Sequence, residues 1–447
     1  MPKKKAAFDS LFVPEEEQPY PIPENWCWTY LSCVAQWGSG GTPSRKILAY
    51  YDGEISWIKT GELNDELIYE SEEHISSEAI ANSSAKLFPI HTVIIAMYGA
   101  TIGKVGILEI EAATNQACAC AVSSTAIDYK YLFYYAKSQK EAFIKKGKGG
   151  AQPNISQEII KTHEIPLPPL PEQHRIVNCI ESLFAKLDEA KEKAQAVVDG
   201  VELRKSAILH KAFTGELTER WRKEHGVGLD SWETKTSKEL FEYVTSGSRG
   251  WAQYYSETGA VFVRMGNLDH GTIELDFSDI QHVCLPDKAE GQRSRLQNND
   301  ILISITADVG MVGLVREMDF EAYINQHIAL ARPNNENDSE FIAWYLVSDV
   351  GLKQMQGKQR GATKVGLGLD DIRSLQLSMP KISEQKKVVA VLNKLMNKEQ
   401  QAKEAAETVL DQIDTMKKAI LARAFRGELG TNDPKEEWAG ELVKAVT

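Results

Sequence analysis

The sequence predicts a mixed α/β (α+β-like) protein built from two tandem domains, each followed by one long helix. The main observation is an internal repeat, because residues 172–217 align with residues 384–429 at a constant offset of 212 without a gap. Of these 46 aligned positions, 20 are identical. A weaker repeat precedes each copy, and both copies space their apolar residues as heptads. Together these observations predict two like modules that pair through their helices.

The composition is that of a globular protein. The 447 residues suggest two to four domains, and 43% hydrophobic with 26% charged residues is ordinary for this class. No apolar run approaches the ~20 residues that span a bilayer, and no secretory signal is recognisable. The six cysteines form no Cys-x-x-Cys pair. We therefore expect reduced thiols in a cytoplasmic protein that has no membrane partner.

The first domain is expected over residues 26–168, after a charged and proline-bearing arm over residues 1–25 that we expect to be mobile until a partner orders it. Runs of apolar and alternating residues predict strands in this domain. The predicted strands are 55–59, 92–98, 104–108 and 116–122. Apolar residues at helical spacing predict a single helix over residues 129–146.

The second domain is expected over residues 226–380, because its motifs answer those of the first domain in the same order. The corresponding pairs are 55–63 with 260–268, 100–106 with 307–313, 115–116 with 325–326, 129–146 with 338–355, and Trp26 with Trp232. The sequence thus predicts the same plan twice.

Capping residues support the two long helices. Pro171 suits the first turn of the first helix, and Ser383, at the matching position, suits an N-cap. Gly215 and Gly427 stand where left-handed residues often end a helix. About 42 residues at ~1.5 Å each predict rods roughly 60 Å long. The helical regions are expected over residues 169–225 and 381–430, and a tail over residues 431–447.

A heptad seam follows each helix and is interrupted only by Arg204 and Glu399. The first seam is Ile180, Leu183, Leu187, Ala190, Ala194, Val197, Val201, Arg204 and Ile208, with Phe213 near the end. The second is Leu392, Leu395, Glu399, Ala402, Ala406, Val409, Ile413, Met416 and Ile420, with Phe425 near the end. Two matched seams favour mutual pairing over helices packed only on their own domains. The seams do not decide between parallel and antiparallel pairing.

The sequence offers no catalytic constellation. Residues 99–105 differ from a phosphate-binding loop, because three residues separate the glycines and Val105 replaces the required Ser or Thr. Cys118 and Cys120 alternate in an apolar run, which favours a buried strand over a metal site. No Gly-x-Gly-x-x-Gly and no His-x-x-x-His pair occurs. We therefore expect no catalytic residue, metal or cofactor on this chain.

Polar, glycine-bearing loops recur at matching places in the two domains. Residues 38–46 are answered by 246–251, and residues 148–154 by 360–364. Each loop alone is more typical of a plain solvated turn, and the net charge of -12 does not favour nucleic acid. Recurrence favours binding, because glycine lets the backbone approach a phosphate while Lys, Arg, Gln and Asn contact phosphates or base edges.

The chain resembles the specificity (S) subunit of type I restriction–modification enzymes. The resemblance rests on Pro-Leu-Pro-Pro-Leu-Pro-Glu-Gln at 166–173, on Ala-Ile-Leu-x-x-Ala-Phe-x-Gly-Glu-Leu at 207–217 and 419–429, on Trp-Ile-Lys-Thr-Gly at 57–61, and on Ala-Thr-Ile-Gly-Lys at 100–104. These motifs, in this order and duplicated, cover residues 26–430. The residues after Leu217 (Thr-Glu-Arg-Trp-Arg) and those after Leu429 (Gly-Thr-Asn) are different, which suggests that the two docking ends differ.

The resemblance implies a non-catalytic subunit that reads a bipartite double-stranded DNA target, with the helices paired antiparallel as a coiled coil that sets the spacer. It implies two methyltransferase subunits that carry S-adenosylmethionine, and restriction subunits that use ATP and Mg²⁺. The candidate DNA-binding residues are Thr42, Ser44, Arg45, Lys46, Lys59, Thr60, Tyr98, Lys104, Lys146, Lys148, Gln152, Asn154, Ser248, Arg249, Arg264, Asn267, Thr306, Lys358, Arg360, Thr363 and Lys364. The alternatives are a fused methyltransferase-type enzyme and a coiled-coil scaffold without a DNA role.

Overall fold

The computed structural model describes residues 11–147, 154–285, 290–359 and 366–447. The chain divides into two compact units, residues 1–192 with 409–447, and residues 193–408. Each unit contains one mixed α/β domain together with segments of both long helices. No helix in the described ranges is both long enough and apolar enough to cross a membrane.

The described residues of the first unit form three sheets. Its strands are β1 (Cys27–Tyr30), β2 (Ala35–Ser39), β3 (Ile55–Ile58), β4 (Glu66–Ile68), β5 (His74–Ile75), β6 (Leu87–Phe88), β7 (Val93–Ala96), β8 (Val105–Leu108), β9 (Ala112–Thr114), β10 (Cys118–Ser123) and β11 (Glu164–Leu167). The strand orders are β2-β10-β7-β8-β4, β5-β3-β9-β6 and β1-β11. Pairs β3–β9 and β4–β8 are parallel, and the other pairs are antiparallel. The four predicted strands are confirmed with slightly shorter bounds.

Both faces of the five-stranded sheet are buried. Val93, Ile95 and Ala119 pack in one apolar cluster with Tyr131, whereas Cys118 and Cys120 face a second cluster with Ile94. Burial raises the pKa of the Cys120 thiol to about 12. The prediction of a buried strand at these cysteines is confirmed.

The helices of the first domain are shorter than the apolar pattern indicated. They are α1 (Leu31–Val34), α2 (Ser77–Ala81), α3 (Tyr129–Ser138), α4 (Lys140–Lys146) and α5 (Gln157–Lys161). The single helix predicted over 129–146 is wrong, because the chain bends at Gln139, whose side chain bonds to Ser138 and His163. The second domain breaks its helix likewise at Ser348, whose hydroxyl caps the following turn.

The second unit repeats the sheet plan. Its strands are β12 (Glu233–Thr236), β13 (Phe241–Ser246), β14 (Tyr255–Ser256), β15 (Ala260–Val263), β16 (His282–Val283), β17 (Ile301–Ser304), β18 (Val312–Leu314), β19 (Ala322–Ile324), β20 (Ile328–Pro333) and β21 (Gln376–Met379). The strand orders are β13-β20-β17-β18, β14-β16-β15-β19 and β12-β21. Pair β15–β19 is parallel, as is β3–β9 in the first unit.

The remaining helices include the two long ones. They are α6 (Leu170–Asp199), α7 (Val201–Phe213), α8 (Glu219–His225), α9 (Ser237–Leu240), α10 (Ser339–Val347), α11 (Asp349–Gly357), α12 (Leu369–Arg373), α13 (Ile382–Ala424) and α14 (Gly440–Val446). The first long helix is interrupted at Gly200, whereas α13 is continuous over 43 residues. Because α13 begins at Ile382, Ser383 lies in its first turn and is not the predicted N-cap. Gly215 (φ 83°) and Gly427 (φ 73°) are left-handed, as predicted.

The long helices pair antiparallel within each unit. In the first unit Asp188 lies 2.5 Å from Lys417, while Arg175, further back along α6, contacts Glu436, further along the chain. In the second unit Arg204 bonds to Glu399, and Arg222, later in the chain, bonds to the earlier Glu384. Rising residue numbers in the first helical region therefore meet falling numbers in α13 and the segment that follows it.

Residues 11–25 do not behave as the mobile arm that their composition suggested. Val13 is buried, its N–H donates to Trp28 O at 3.1 Å, and Phe12 contacts the Trp438 ring at 5.3 Å. A short apolar segment thus packs between the domain and the last helix despite its prolines. Residues 1–10 lie outside the described residues.

Candidate nucleic-acid interface

Five loop segments of the first unit meet through main-chain hydrogen bonds. We call residues 41–46, 58–62, 97–104, 114–117 and 154–155 loop cluster 1. The bonds are Gly41 N to Thr114 O (2.9 Å), Asn115 N to Ile58 O (3.0 Å), Met97 N to Ala117 O (2.8 Å) and Ile155 N to Met97 O (2.9 Å), with a bridge between Tyr98 and Asn154. Segments that are far apart in the sequence thereby form one surface.

The second unit gathers the matching segments in the same way. We call residues 247–250, 263–267, 305–310, 325–327 and 366–367 loop cluster 2. The bonds are Asn325 N to Val263 O (3.2 Å), Ile305 N to His327 O (2.9 Å) and Leu367 N to Ile305 O (2.8 Å), with bridges Thr306–Gly366 and Ser248–Asn325. The predicted correspondence of 325–326 with 115–116 is confirmed. Both units therefore build the same loop arrangement.

Two candidate cations of loop cluster 1 share one carboxylate. Arg45 Nη1 donates to Glu73 Oε2, and Lys59 Nζ lies 3.0 Å from Glu73 Oε1 and from Glu72 Oε2. The bonds from Arg45 and Lys59 lower the pKa of Glu73 to about 2. Much of the positive charge predicted for this loop is thus balanced within the chain.

Lys59 and Arg264 begin matching turns in the two units. Glu62 Oε1 accepts the main-chain N–H of Lys59 at 2.9 Å, and Asn267 Oδ1 accepts the main-chain N–H of Arg264 at 2.8 Å. Arg264 Nη2 also lies 3.0 Å from Asp279 Oδ2. The buried Asn267 amide additionally donates to two main-chain carbonyls, so it holds the loop rather than presenting donors to a ligand.

The turn after Tyr98 has a strained counterpart in the second unit. Gly99 has φ 63°, and Ala307, which follows Thr306, has the same φ although it carries a Cβ. Thr306 Oγ1 lies 2.6 Å from His327 Nδ1, a contact that helps to fix this turn. A left-handed alanine in a loop cluster stores local strain of a kind often found at functional sites.

The remaining candidates differ in exposure. Thr42, Ser44, Arg45, Lys46, Tyr98, Lys146, Asn154 and Arg249 are exposed, Lys59, Thr60, Lys104, Arg264, Thr306 and Lys358 are half-buried, and Ser248 and Asn267 are buried. Lys146 contacts His163 and Glu164 and makes no bond to loop cluster 1 among the described residues. Lys148, Gln152, Arg360, Thr363 and Lys364 lie outside the described residues.

Three residues that lie in the loop clusters or contact them were not found from the sequence. Glu72 and Glu73 lie on a polar loop before β5, and His327 follows the Asn-Gln pair. An acidic residue gives no local signal of a role beside a predicted basic loop. Recurrence identified Asn325 and Gln326, but His327 aligns with Ala117, so comparison of the two copies could not reveal it.

A buried glutamine joins each domain to the start of its long helix. Gln173 accepts the Asp128 N–H at 2.8 Å and donates to Ala126 O at 3.0 Å and Pro168 O at 2.9 Å. Gln385 accepts the Asp338 N–H at 2.8 Å and donates to Pro380 O at 2.8 Å. Both amides are completely or almost completely buried, which explains why this residue recurs.

The preceding glutamate joins the start of one long helix to the segment that follows the other long helix. Glu172 accepts from Thr431 Oγ1 at 2.6 Å and from Arg175 Nε at 2.9 Å. Glu384 accepts from Thr218 Oγ1 at 2.7 Å and from Arg222 Nη1 at 2.8 Å. The two docking ends, which were predicted to differ, therefore share this threonine. Thr218 directly follows Leu217, whereas Gly430 separates Thr431 from Leu429.

A phenylalanine at the end of each long helix packs into an aromatic pocket. Phe425 packs edge-on against Tyr131 and Tyr135 in the first unit. In the second unit, Phe213 packs edge-on against Phe341 and Tyr345, the corresponding residues. The predicted seam residues Ala402, Val409 and Met416 are exposed. Those that are buried or half-buried are Ile180, Leu183, Leu187, Ala194, Val201, Ile208, Leu392, Leu395, Ala406, Ile413 and Ile420.

Comparison with known proteins shows the family of this chain. The model of the family described as type I restriction modification DNA specificity domain matches residues 23–198 and again residues 230–408. The chain belongs to this family. The resemblance inferred from its motifs is thereby confirmed.

Relatives cover most of the chain. The type I restriction enzyme MjaIX specificity subunit of Methanocaldococcus jannaschii is 26% identical over 372 residues, which are 80% of this chain and 84% of the relative. The EcoKI specificity subunit of Escherichia coli is 22% identical over 427 residues, 91% of this chain and 90% of the relative.

Solved structures share the fold. The HsdS subunit of Thermoanaerobacter tengcongensis has 18% sequence identity and a TM-score of 0.66, over 92% of this chain and all of that one. A chain from a study of complex assembly and conformational transition in the type I R-M system has 19% identity and a TM-score of 0.68 over the same shares. The predicted architecture of two tandem α/β domains with long helices is confirmed.

Proposed function

We propose that this chain reads a bipartite double-stranded DNA target, with loop cluster 1 contacting one half-site and loop cluster 2 the other. The observation that carries the proposal is the same set of loop segments, held by equivalent main-chain hydrogen bonds, in each unit. Exposed Thr42, Arg45, Lys46 and Arg249 supply donors of the type that contacts phosphates and base edges. The family, described by its DNA specificity domain, supports this function.

We further propose that the paired helices set the spacer between the half-sites and dock two methyltransferase subunits, which restriction subunits join. In this proposal the chain is non-catalytic and holds no cofactor. S-adenosylmethionine belongs to the methyltransferase subunits, and ATP with Mg²⁺ to the restriction subunits. The functional divisions follow residues 26–168 and 226–380 as readers and residues 169–225 and 381–430 as the connecting helical regions.

The test is a domain exchange read out by sequencing of methylated adenines. Residues 26–165 are replaced by those of a relative, and the chain is expressed with its methyltransferase partner. We expect one half-site of the methylated motif to change while the other half-site and the spacer stay the same. A continuous motif in the parent chain would contradict the bipartite proposal.

Two binding measurements separate the alternatives. DNA affinity of the complex is expected to fall steeply with salt concentration, because phosphate contacts release counterions. A scaffold without a DNA role would show no such dependence. Binding of S-adenosylmethionine to the purified chain alone would support a fused enzyme instead.

A further inference from the structure

The loop that carries Arg45 is fixed from three directions. Tyr51 OH donates to Pro43 O at 2.6 Å, and Trp57 Nε1 donates to Gly41 O at 3.0 Å. The Gly41 N–H donates in turn to Thr114 O at 2.9 Å. The two rings contact each other edge-on at 5.9 Å, so they form one support beneath residues 41–46.

The Arg45 guanidinium lies on this same support. Its Cζ is 4.2 Å from the Tyr51 ring centroid and 5.2 Å from that of Trp57. Its Nη1 donates to Glu73 Oε2. Stacking restricts the plane of the guanidinium, and the carboxylate restricts its rotation within that plane.

Glu73 is itself held in place. Its carbonyl oxygen accepts the Trp57 N–H at 2.9 Å and the Ser71 hydroxyl at 2.7 Å, while Lys59 Nζ lies 3.0 Å from its other carboxylate oxygen. The hydrogen bonds from Arg45 and Lys59 lower the pKa of Glu73 to about 2, so this carboxylate stays charged well below neutral pH. The acid therefore serves as a fixed anchor for Arg45.

The guanidinium keeps donors for a ligand. Arg45 retains 55% side-chain exposure, and Glu73 is its one hydrogen-bond acceptor among the described residues, which leaves the Nε and Nη2 donors unused. A phosphate approaching these donors would meet the nearby negative charge of Glu73. A neutral base edge with two acceptors meets no such repulsion, and guanine O6 and N7 match the arginine fork.

We propose that Arg45 reads a guanine in the half-site contacted by loop cluster 1, and that Glu73 is its positioning residue. This inference rests on the proposed function and adds one specificity-determining side chain with its support. Lys46, the exposed neighbour of Arg45, is assigned to phosphate contact.

The experiment uses the full complex with its methyltransferase partner and the variants Arg45→Lys, Glu73→Ala and Lys46→Ala. Methylated motifs are sequenced, and affinities are measured for the cognate duplex and for duplexes with each base pair of the half-site replaced. Arg45→Lys is expected to lose roughly 10- to 100-fold of the discrimination at one G·C pair, because an ammonium cannot form the bidentate pair. The other half-site remains unchanged.

Glu73→Ala is expected to relax the specificity at the same base pair. The affinity for non-cognate DNA is expected to stay equal or rise, since a negative charge is removed from the surface. A residue that only stabilised the fold would lower all affinities together. Lys46→Ala, the matched control, is expected to weaken every duplex alike and to reduce the salt slope by about one. Glu73→Gln repeats the test if the alanine variant does not fold.

Three results would overturn the inference. In the first, Arg45→Lys leaves the motif unchanged and weakens binding to every duplex equally. In the second, Arg45→Lys and Glu73→Ala relax the specificity at different base pairs, and in the third neither variant has an effect. A wild-type motif without two half-sites would instead overturn the proposed function itself.

Discussion

Arg204 Nε donates to Glu399 Oε2 at 2.7 Å, so the two polar exceptions in the heptad seams satisfy each other. Arg204 Nη2 also donates to the carbonyl of Val197 at 2.8 Å, close to the interruption of the helix at Gly200. The side chains are 38% and 20% exposed. A single charged pair at otherwise apolar positions favours one register of an antiparallel helix pair over its neighbours.

Replacing Glu399 alone is expected to cost more stability than replacing both partners. Glu399→Ala leaves Arg204 half-buried without its carboxylate, at a cost of about 1 kcal/mol after allowing for solvent exposure. The double variant Arg204→Leu with Glu399→Leu is expected to be as stable as the parent, and less selective for one spacer length. Urea unfolding measures the first effect and sequencing of methylated motifs the second.

The control for this pair is Glu407→Ala. Glu407 lies 3.8 Å from Lys403 on the same helix and is 49% exposed, so its removal is expected to change stability by a few tenths of a kcal/mol at most. Equal losses of stability in Glu399→Ala and Glu407→Ala would show that the cross-helix pair contributes no more than an exposed pair within one helix.

The two recurring glutamates are expected to respond unequally to removal. Glu384 and its partner Arg222 are 2% and 8% exposed, so Glu384→Ala leaves a buried cation and is expected to cost about 3 kcal/mol. Glu172→Ala is expected to cost less, because Arg175 is 38% exposed and keeps a bidentate pair with Glu436. Burial already raises the pKa of Glu172 and so disfavours its charged form. Urea unfolding of both variants would reveal the difference, and equal losses would contradict this account.

His163 is expected to make the first unit sensitive to mild acid. Burial, reinforced by Lys146 Nζ at 2.9 Å, lowers the pKa of His163 to about 4. The unfolded chain binds a proton near pH 6.5, so the stability from this residue is full above pH 6.5 and is lost as the pH falls toward 4. The loss approaches roughly 3 kcal/mol.

The corresponding measurement compares urea unfolding of the parent and His163→Gln between pH 7 and 4.5. The difference in unfolding free energy between the two proteins is expected to shrink as the pH falls. A difference that is constant over this range would show that His163 does not titrate in this way.

The sequence predicted the architecture because the features that determine it are local and repeated. The offset between Gln173 and Gln385 follows from the sequence, and the left-handed Gly215 and Gly427 follow from helix-end chemistry. Helix breaks at Gln139 and Ser348 could not be read from apolar spacing, because side-chain hydrogen bonds to distant or adjacent groups decide them.

The candidate interface was predictable only in part. Recurrence identified the loops, and the structure joins most of them through main-chain bonds. The carboxylate that neutralises Arg45 and Lys59 could not be inferred, because no pattern links Glu73 to residues 28 and 14 positions earlier. Likewise, Ala402, Val409 and Met416 fit a strict heptad but are exposed, since an α-helix drifts away from a 3.5-residue repeat over its length.

The length of the paired helices is expected to set the spacer of the DNA target. Seven residues inserted between Glu192 and Lys193, together with seven between Thr408 and Val409, extend both helices by about 10 Å while keeping the helical phase. Because DNA rises about 3.4 Å per base pair, the spacer of the methylated motif is expected to lengthen by about three base pairs with both half-sites unchanged. Insertion of five residues at the same places, which rotates each apolar stripe away from its partner, is the control and should abolish methylation. An unchanged spacer in the seven-residue variant would refute the role of the helices as the element that fixes this distance.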